Sequence, residues 1–218
     1  MINSPTTGNS SNDFNIMFFN HFRIDFLISV LVSTNNDTIG VAFNAKWVGA
    51  PAISCQNGGS AVEALQWALD PDGNPSTTDD MPDVINNSWV SPGTQNECNS
   101  IFVNVLQALE TAGITVVFAA GNEGPGTSTV MPPNNISINL VNNFSVGAVN
   151  ASTSNLNIAG FSSRGPSDCS GTGSLKIKPE VAAPGVSVRS AVRGGGYGSF
   201  QGTSMAAPHV SGAVLLLR

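Results

Sequence analysis

The sequence predicts an α/β domain in which a parallel sheet is flanked by helices on both faces. Continuous apolar runs rich in β-branched residues, such as residues 114–120, suit strands that are buried on both faces. Segments with apolar residues at helical spacing lie between these runs, and strands that alternate with helices form parallel sheets. The 218 residues, 41% of them hydrophobic, are enough for one domain with a substantial core.

Helices and strands are predicted in alternation along the chain. Apolar residues recur at helical spacing in residues 60–69 and again in residues 101–112. Asn99 or Ser100 can cap the second helix, and Gly113 ends it because glycine accepts the left-handed backbone of a helix C-terminus. Apolar runs predict strands at residues 84–89, 114–120, 144–149 and 186–192.

Residues 1–34 differ in composition from the rest of the chain. They contain no alanine and a single glycine, Gly8, and they are rich in Asn, Phe, Ile and Ser. Polar and charged residues interrupt the apolar stretch 14–32, which therefore fits neither a transmembrane helix nor a signal peptide. We expect residues 1–34 to be an atypical, poorly specified segment that packs irregularly, and residues 35–218 to form the domain.

The chain reads Gly-Thr-Ser-Met-Ala-Ala-Pro-His-Val over residues 202–210, which places Ser204 among small residues where a helix begins. Small neighbours let a substrate backbone approach the hydroxyl, and the N-terminal amide groups of a helix favour developing negative charge. The pattern indicates a nucleophile. A helix cap without catalytic function is the alternative, because Gly-Thr-Ser also begins ordinary helices.

A second candidate residue, Asn122, follows the predicted strand 114–120. The strand stops at the glycine-rich loop 121–126, so Asn122 lies just outside the carboxyl end of a buried strand. Ligands bind at this edge in open α/β sheets. The alternative is an ordinary turn asparagine, since Asn-rich loops are common in this chain.

The two stretches together resemble the nucleophile and oxyanion-hole motifs of the subtilisin-like serine endopeptidases, the subtilase or peptidase S8 family. The resemblance implies a subtilisin-like fold and hydrolysis of peptide bonds through an acyl-enzyme on Ser204. It implies Asn122 as the side-chain donor of the oxyanion hole, with the Ser204 backbone N–H as its companion.

The resemblance is nearly continuous from about residue 35 to Arg218. Residues 40–48, 83–89 and 181–186 look like strands of the family core, and residues 161–166 are similar to a family turn. The first two of these strands most resemble secreted bacterial members of the bacillopeptidase F kind.

The resemblance also implies a cleft for an extended polypeptide. Two walls of a primary specificity pocket are expected, one formed by Ser88, Trp89 and Val90 and the other by Ala119, Ala120 and Gly121. Val90 stands where the family commonly has glycine, which changes the expected pocket width. The implied protein is secreted and monomeric and needs no cofactor for its chemistry. Structural calcium is compatible with the resemblance, although no metal ligands can be assigned.

The family presents its triad in the order Asp, His, Ser, so both partners of Ser204 must precede it. The chain has two histidines. His209 belongs to the nucleophile stretch and follows Ser204 on the same predicted helix, which favours a structural role. His21 lies nineteen residues before Gly40, a suitable spacing, but its neighbours lack the Gly, Thr and second His of the family motif. His21 as the base and His21 as an incidental histidine therefore both remain open.

No aspartate in a family-like context precedes His21, since Asp13 lacks the Ser/Thr and Gly that follow the catalytic aspartate. The chain also ends fourteen residues after Ser204, within the predicted helix. We therefore expect a subtilisin-like domain that is incomplete at both ends and a chain without practical protease activity. The alternative is a non-catalytic peptide-binding pseudoprotease that retains the cleft and lacks the base.

The charge balance is acidic, with a net charge of −6, eight Lys and Arg residues and a pI near 4.6. This balance argues against nucleic acid and anionic membranes as partners. Acidic residues concentrate in residues 70–80, which superficially resemble a calcium loop. Glycine comes too early there, proline is unsuitable and no glutamate closes the loop, so we predict a solvated loop.

The three cysteines, Cys55, Cys98 and Cys169, show no metal-binding spacing. In a secreted protein two of them can pair and leave one free. Cys55 and Cys98 lie in loop-like sequence and are the expected pair, although the sequence by itself does not fix the connectivity.

Overall fold

The computed structural model describes residues 6–7, 16–19, 40–50, 60–90, 98, 100–137, 143–169, 171–192 and 195–218. Its strands are β1 (Thr6–Thr7), β2 (Ile16–Phe19), β3 (Trp47–Ala50), β4 (Val84–Asn87), β5 (Thr115–Ala119), β6 (Asn143–Val149), β7 (Val181–Pro184), β8 (Val188–Ala191) and β9 (Tyr197–Phe200). The helices are α1 (Ala61–Trp67), α2 (Ser100–Thr111) and α3 (Thr203–Leu217), with a short 3-10 helix at Gly173–Lys176. No helix among these residues is long and apolar enough to cross a membrane.

Seven strands form one sheet in the order β1-β3-β2-β4-β5-β6-β7. β1 pairs with β3 in antiparallel orientation, and every other neighbouring pair is parallel. Three of the predicted apolar runs supply β4, β5 and β6. The run 186–192 instead supplies β8, which pairs antiparallel with β9 outside the main sheet. The chain turns back at Gly195 and Gly196, both with positive φ, so β8 pairs with the strand that directly follows it.

Successive residues of the central strands face opposite sides of the sheet, and helices cover both sides. On one side α3 packs over β4 to β7. The buried residues of this first core include Val84, Val117, Val146, Met205, Ala206 and Ala207. The core on the other side, beneath α1 and α2, includes Leu65, Ile85, Leu109, Val116 and Phe118. The predicted parallel sheet with helices on both faces is therefore confirmed.

The first strands differ from two expectations where the structure describes them. Most of residues 1–34 lie outside the described residues, so their irregular packing stays a prediction, but Ile16–Phe19 forms β2, which lies between β3 and β4 and pairs with both. An average composition over that segment conceals a run of four apolar residues, which is long enough for an interior strand. The strand expected at 40–48 is displaced, because residues 41–44 form a turn and β3 begins at Trp47.

Caps set the ends of α1 and α2. The Ser60 side chain caps α1 by accepting a hydrogen bond from the N–H three residues later (3.4 Å). Ser100 is the first residue of α2, and Asn99 lies outside the described residues. Gly113 ends α2 in the left-handed conformation (φ 78°), as predicted. The next N–H group donates to the carbonyl five residues back (3.0 Å), a Schellman cap that turns the chain directly into β5.

A disulfide joins Cys98 to Cys169, with 5.0 Å between their Cα atoms. The expected pairing of Cys55 with Cys98 is therefore wrong, and Cys55 lies outside the described residues. Loop-like sequence around two cysteines carries no information about the distance between them. Folding brings together two residues that are 71 positions apart in the chain.

A buried ion pair lies where β7 begins. Lys178 Nζ is 2.5 Å from Glu180 Oε1, and only 1% of the lysine side chain is exposed. Glu180 Oε2 accepts hydrogen bonds from the N–H and the hydroxyl of Ser145 in β6, each 2.8 Å long. Burial lowers the pKa of Lys178, and the attraction of Glu180 opposes this shift. The carboxylate thus compensates the buried ammonium and joins β6 to the segment before β7.

We expect Glu180→Ala to lower the free energy of unfolding by about 3–5 kcal/mol, because it leaves the Lys178 ammonium buried without its partner. Replacing both residues, Lys178→Met with Glu180→Gln, removes both charges but keeps an acceptor for Ser145, and should cost far less. Urea unfolding of the two variants measures the difference. Equal losses would show that the ion pair does not account for the effect.

Candidate active site

The structure brings Asn122 and Ser204 to the same edge of the sheet. Asn122 follows β5 at its carboxyl end, and Ser204 is the second residue of α3. Thr203 donates to Asn122 Oδ1 both from its backbone N–H (2.9 Å) and from its hydroxyl (3.2 Å). The oxygen of the Asn122 side chain is therefore fixed against the start of α3.

These hydrogen bonds orient the amide of Asn122. The backbone N–H of Thr203 is always a donor, so the atom that faces it is the amide oxygen and not the nitrogen. The NH2 group of Asn122 then points away from Thr203, on an exposed side chain. A donor held in this way can bind a negatively charged oxygen without first reorienting.

The loop that carries Asn122 is held from two sides. Gly121 N donates to the Thr203 hydroxyl (3.1 Å). Opposite, Ser163 donates its N–H to Gly121 O (3.0 Å) and its hydroxyl to Glu123 Oε2 (2.9 Å). Gly121 has a φ of 104°, and a Cβ there would lie 2.9 Å from Ser163 Oγ, so only glycine fits. Ser163 belongs to the turn that resembles the family, and this turn therefore braces the loop.

The position of Ser204 depends on a proline in the same helix. Pro208 has no N–H group, so the carbonyl of Ser204 lacks the donor that a regular helix supplies four residues later. Ser88 donates its hydroxyl to this carbonyl instead (3.1 Å). The Ser204 hydroxyl lies 3.4 Å from the Ser88 carbonyl oxygen, which is a long and weak hydrogen bond. The Ser204 N–H, in the first turn of α3, has no acceptor inside the helix and can bind an anion.

A chain of buried side-chain hydrogen bonds supports Ser88. Ser211 of α3 donates its hydroxyl to Asn86 Oδ1 (3.0 Å), and Asn86 Nδ2 donates to Ser88 Oγ (3.1 Å). All three side chains are buried. Sequence analysis missed Ser211 and the role of Asn86, although a polar residue inside an apolar strand is itself a signal, because a buried polar group needs a partner.

The two expected pocket walls lie side by side because β4 and β5 are neighbours, with Asn87 opposite Phe118. Asn134 joins the walls, since its Nδ2 donates to Trp89 O (2.9 Å) and to Ala119 O (2.6 Å). Sequence analysis missed Asn134 because it lies in a stretch where asparagine is common. The spacing between the two walls is therefore set by one buried amide.

The Trp89 ring belongs to the core and not to the wall. It packs edge to face on Phe118, with 6.0 Å between ring centroids, and its Nε1 donates to Asn87 Oδ1 (3.1 Å). Ser88 and the other wall, Ala119, Ala120 and Gly121, are buried, whereas Val90 is half-buried. Residues 91–97, which follow Val90, lie outside the described part of the chain.

His209 is the only histidine among the described residues, since His21 lies outside them. Asp13, which sequence analysis compared with the catalytic aspartate, also lies outside them. His209 Nδ1 is 2.9 Å from Met205 O, one turn earlier in α3, so this nitrogen carries the proton. Burial lowers the pKa of His209, and hydrogen bonds to the carbonyls of Met205 and Ala206 oppose the shift less strongly. The neutral imidazole is therefore engaged within its own helix.

A model of the subtilase family matches residues 28–218. Bacillopeptidase F of Bacillus subtilis (strain 168) is 39% identical over an alignment of 191 residues, and the match covers 83% of this chain and 12% of that protein. Subtilisin E of the same strain is 33% identical over an alignment of 194 residues, and the match covers 86% of this chain and 43% of that protein. Among solved structures, the S41 psychrophilic protease matches with a TM-score of 0.69 and 28% identity, covering 88% of this chain and 61% of that one. The chain thus spans less than two thirds of each.

The fold and the site define an α/β protein of subtilisin-like architecture, with a serine at a helix N-terminus beside a fixed amide donor. The chain belongs to the subtilase family. The resemblance of the sequence motifs to this family, and the fold that it implied, are confirmed.

We expect Asn134→Ala to lower the free energy of unfolding by about 2–3 kcal/mol, because it removes the donor shared by two carbonyls between the pocket walls. The matched control is Asn157→Ala at an exposed loop position, which should change stability by less than about 0.5 kcal/mol. Urea unfolding measures both variants. Similar values for the two would contradict a joining role for Asn134.

Acid should destabilise the protein in part through His209. Its folded-state pKa lies below the unfolded value of about 6.5, so the unfolded chain takes up a proton first as the pH falls. The contribution of neutral, buried His209 to the free energy of unfolding is therefore complete above about pH 6.5 and is lost as the pH falls below that value. Between pH 7.5 and 5.5, urea unfolding should show a larger loss in the wild type than in His209→Gln. Equal losses in the two proteins would contradict the assignment.

Proposed function

We propose that this chain carries the nucleophile and the oxyanion-binding part of a serine endopeptidase site. Ser204 Oγ attacks the carbonyl carbon of a peptide bond and gives its proton to a base, and the amine leaves with a proton as the acyl-enzyme forms. The NH2 group of Asn122 and the N–H of Ser204 bind the oxyanion. The pair of hydrogen bonds from Thr203 to Asn122 Oδ1 is the observation that most directly supports this assignment.

The proposed substrate is an extended polypeptide. Ser88, Trp89 and Val90 continue β4 beyond its last paired residue, so a peptide can lie beside them by strand addition. Its side chain at the scissile bond enters between this wall and the wall that follows β5. Val90 carries a side chain where the family commonly has glycine, and it therefore helps to set the width of that pocket.

The base is the part of the mechanism that the described residues do not supply, because His209 is engaged with Met205 O. Loss of a triad member leaves roughly a thousandfold to ten-thousandfold catalysis over water. In subtilisin, a family member, loss of the serine or the histidine costs about a millionfold in turnover, a value measured on that protein. We infer that residues 1–218 alone have no practical protease activity. A peptide-binding pseudoprotease is the second candidate, favoured by the departure of the residues around His21 from the family motif.

The proposed reaction uses side chains and backbone donors and needs no cofactor. The disulfide between Cys98 and Cys169 supports a secreted protein, since disulfides persist in oxidising compartments. The net charge of −6 supports polypeptides, rather than nucleic acid or anionic membranes, as partners. We propose that the protein acts as a monomer.

We expect purified 1–218 to hydrolyse casein only weakly and to react slowly with a fluorophosphonate probe. The labelling that does occur should disappear in Ser204→Ala and persist in Ser199→Ala, an exposed serine of β9 that serves as the control. Where turnover is measurable, Asn122→Ala should lower it about 100-fold to 1,000-fold, the cost known for the equivalent donor in subtilisin.

Three outcomes separate the alternatives. Labelling that survives Ser204→Ala would show that Ser204 is not the nucleophile. Robust hydrolysis that is lost in both Ser204→Ala and His21→Ala would identify His21 as the base and contradict the inferred inactivity. Binding of casein peptides without hydrolysis, unchanged in Ser204→Ala, would favour the pseudoprotease.

A further inference from the structure

Three carboxylates converge in the loop between α1 and β4. Oxygens of Asp70, Asp72 and Asp80 lie within 4.8 Å of one another, although the first and the last are ten positions apart in the chain. Hydrogen bonds fix the loop in this form. Asp80 Oδ2 accepts from Asp72 N (2.9 Å), and Asp72 accepts from Asn74 N (2.8 Å) and the Thr77 hydroxyl (3.1 Å).

Two of these carboxylates have a buried oxygen that lacks a hydrogen-bond partner. Asp80 is only 3% exposed, and its Oδ1 accepts no hydrogen bond from the described residues. Asp70 Oδ1 is likewise buried without a donor. A buried carboxylate oxygen is destabilising unless a donor or a cation compensates it, and three neighbouring carboxylates also repel one another. Among the described residues, no donor compensates these two oxygens.

We propose that Asp70, Asp72 and Asp80 bind a calcium ion. Calcium takes six to eight oxygen ligands at about 2.3–2.6 Å in flexible geometry, so two of its ligands can stand up to about 5 Å apart. The spacing of the three carboxylates fits this range. Magnesium holds its ligands at about 2.0–2.1 Å in strict octahedral geometry and keeps several waters, which suits this cluster less well.

The prediction of a solvated loop rested on comparison with one kind of calcium loop, in which glycine and a closing glutamate occupy set positions. This cluster meets the requirement of calcium in another way, because folding brings the ligands together from the two ends of the loop. The buried Asp80 supplies the last ligand of this loop. In the calcium loop used for comparison, a glutamate at the last position does so.

The proposed ion lies far from Ser204. The loop leads into the first residue of β4, whereas Ser88 follows the last, and four strand residues span about 13 Å. The ion therefore takes no part in the chemistry at Ser204. It holds the chain between α1 and β4, and the measurable effect is on stability.

The test uses chain 1–218 freed of metal with EDTA, with calcium chloride as the ligand. Equilibrium dialysis should show one calcium fewer per chain in Asp80→Asn than in Asp79→Asn, an exposed neighbour outside the cluster. At a hundredfold excess over the dissociation constant, calcium should raise the Tm of the wild type and of Asp79→Asn by about 5–10 °C. Magnesium should require at least a tenfold higher concentration. Equal calcium binding by the two variants would overturn the proposal.

A second comparison separates a metal ligand from a purely structural residue. In EDTA, Asp80→Asn should melt at the same temperature as the wild type or higher, because it removes an uncompensated buried charge. In calcium, it should melt below the wild type. An equal deficit in both conditions would assign Asp80 a structural role only and overturn the proposal. If Asp80→Asn does not fold, Asp70→Asn gives the same comparison, with the same two outcomes.

Discussion

The packing of α3 across four parallel strands is the constraint on which the rest of the structure depends. Its buried face is rich in small residues, among them Ala206, Ala207 and Gly212, so the helix backbone lies close to its neighbours. A Cβ on Gly212 would lie only 2.7 Å from Val41 Cβ. The same helix begins at Thr203, which fixes Asn122. The geometry of the candidate site therefore follows from how the core is packed and not from a separate arrangement of loops.

Buried polar groups are compensated in different ways. Beside Ser204 they bond to one another, as in the hydrogen bonds that link Ser211, Asn86 and Ser88 between α3 and β4. The Lys178–Glu180 pair is also compensated within the chain. The carboxylates of the loop before β4 differ, because the compensation that we propose for them is a bound calcium ion. Hydrogen bonds within the chain therefore hold Ser88 at the reacting edge of the sheet, whereas the carboxylate loop before β4 depends on its solution conditions.

The sequence predicted the features whose causes are local. β5 is a continuous apolar run, Gly113 ends α2 through its own backbone freedom, and the motif around Ser204 is contiguous. The sequence did not predict contacts between distant positions, such as the bond between Cys98 and Cys169 or the Asn134 amide between the two walls. Each of these depends on which strands become neighbours, and residue type alone does not carry that information. The central position of β2 could not be predicted for the same reason. Four apolar residues indicate a short buried segment but do not specify the two strands between which it pairs.

The helix α3 follows, in the chain, every strand that it covers. A ribosome synthesises a protein from its N-terminus, so β4 to β7 emerge before the helix that covers one face of these strands. Until then Val84, Val117 and Val146 lack the apolar contacts that this helix supplies. Ser204 arrives on the same helix that covers them. A nascent chain therefore cannot present this serine beside Asn122 before α3 has emerged and covered these strands.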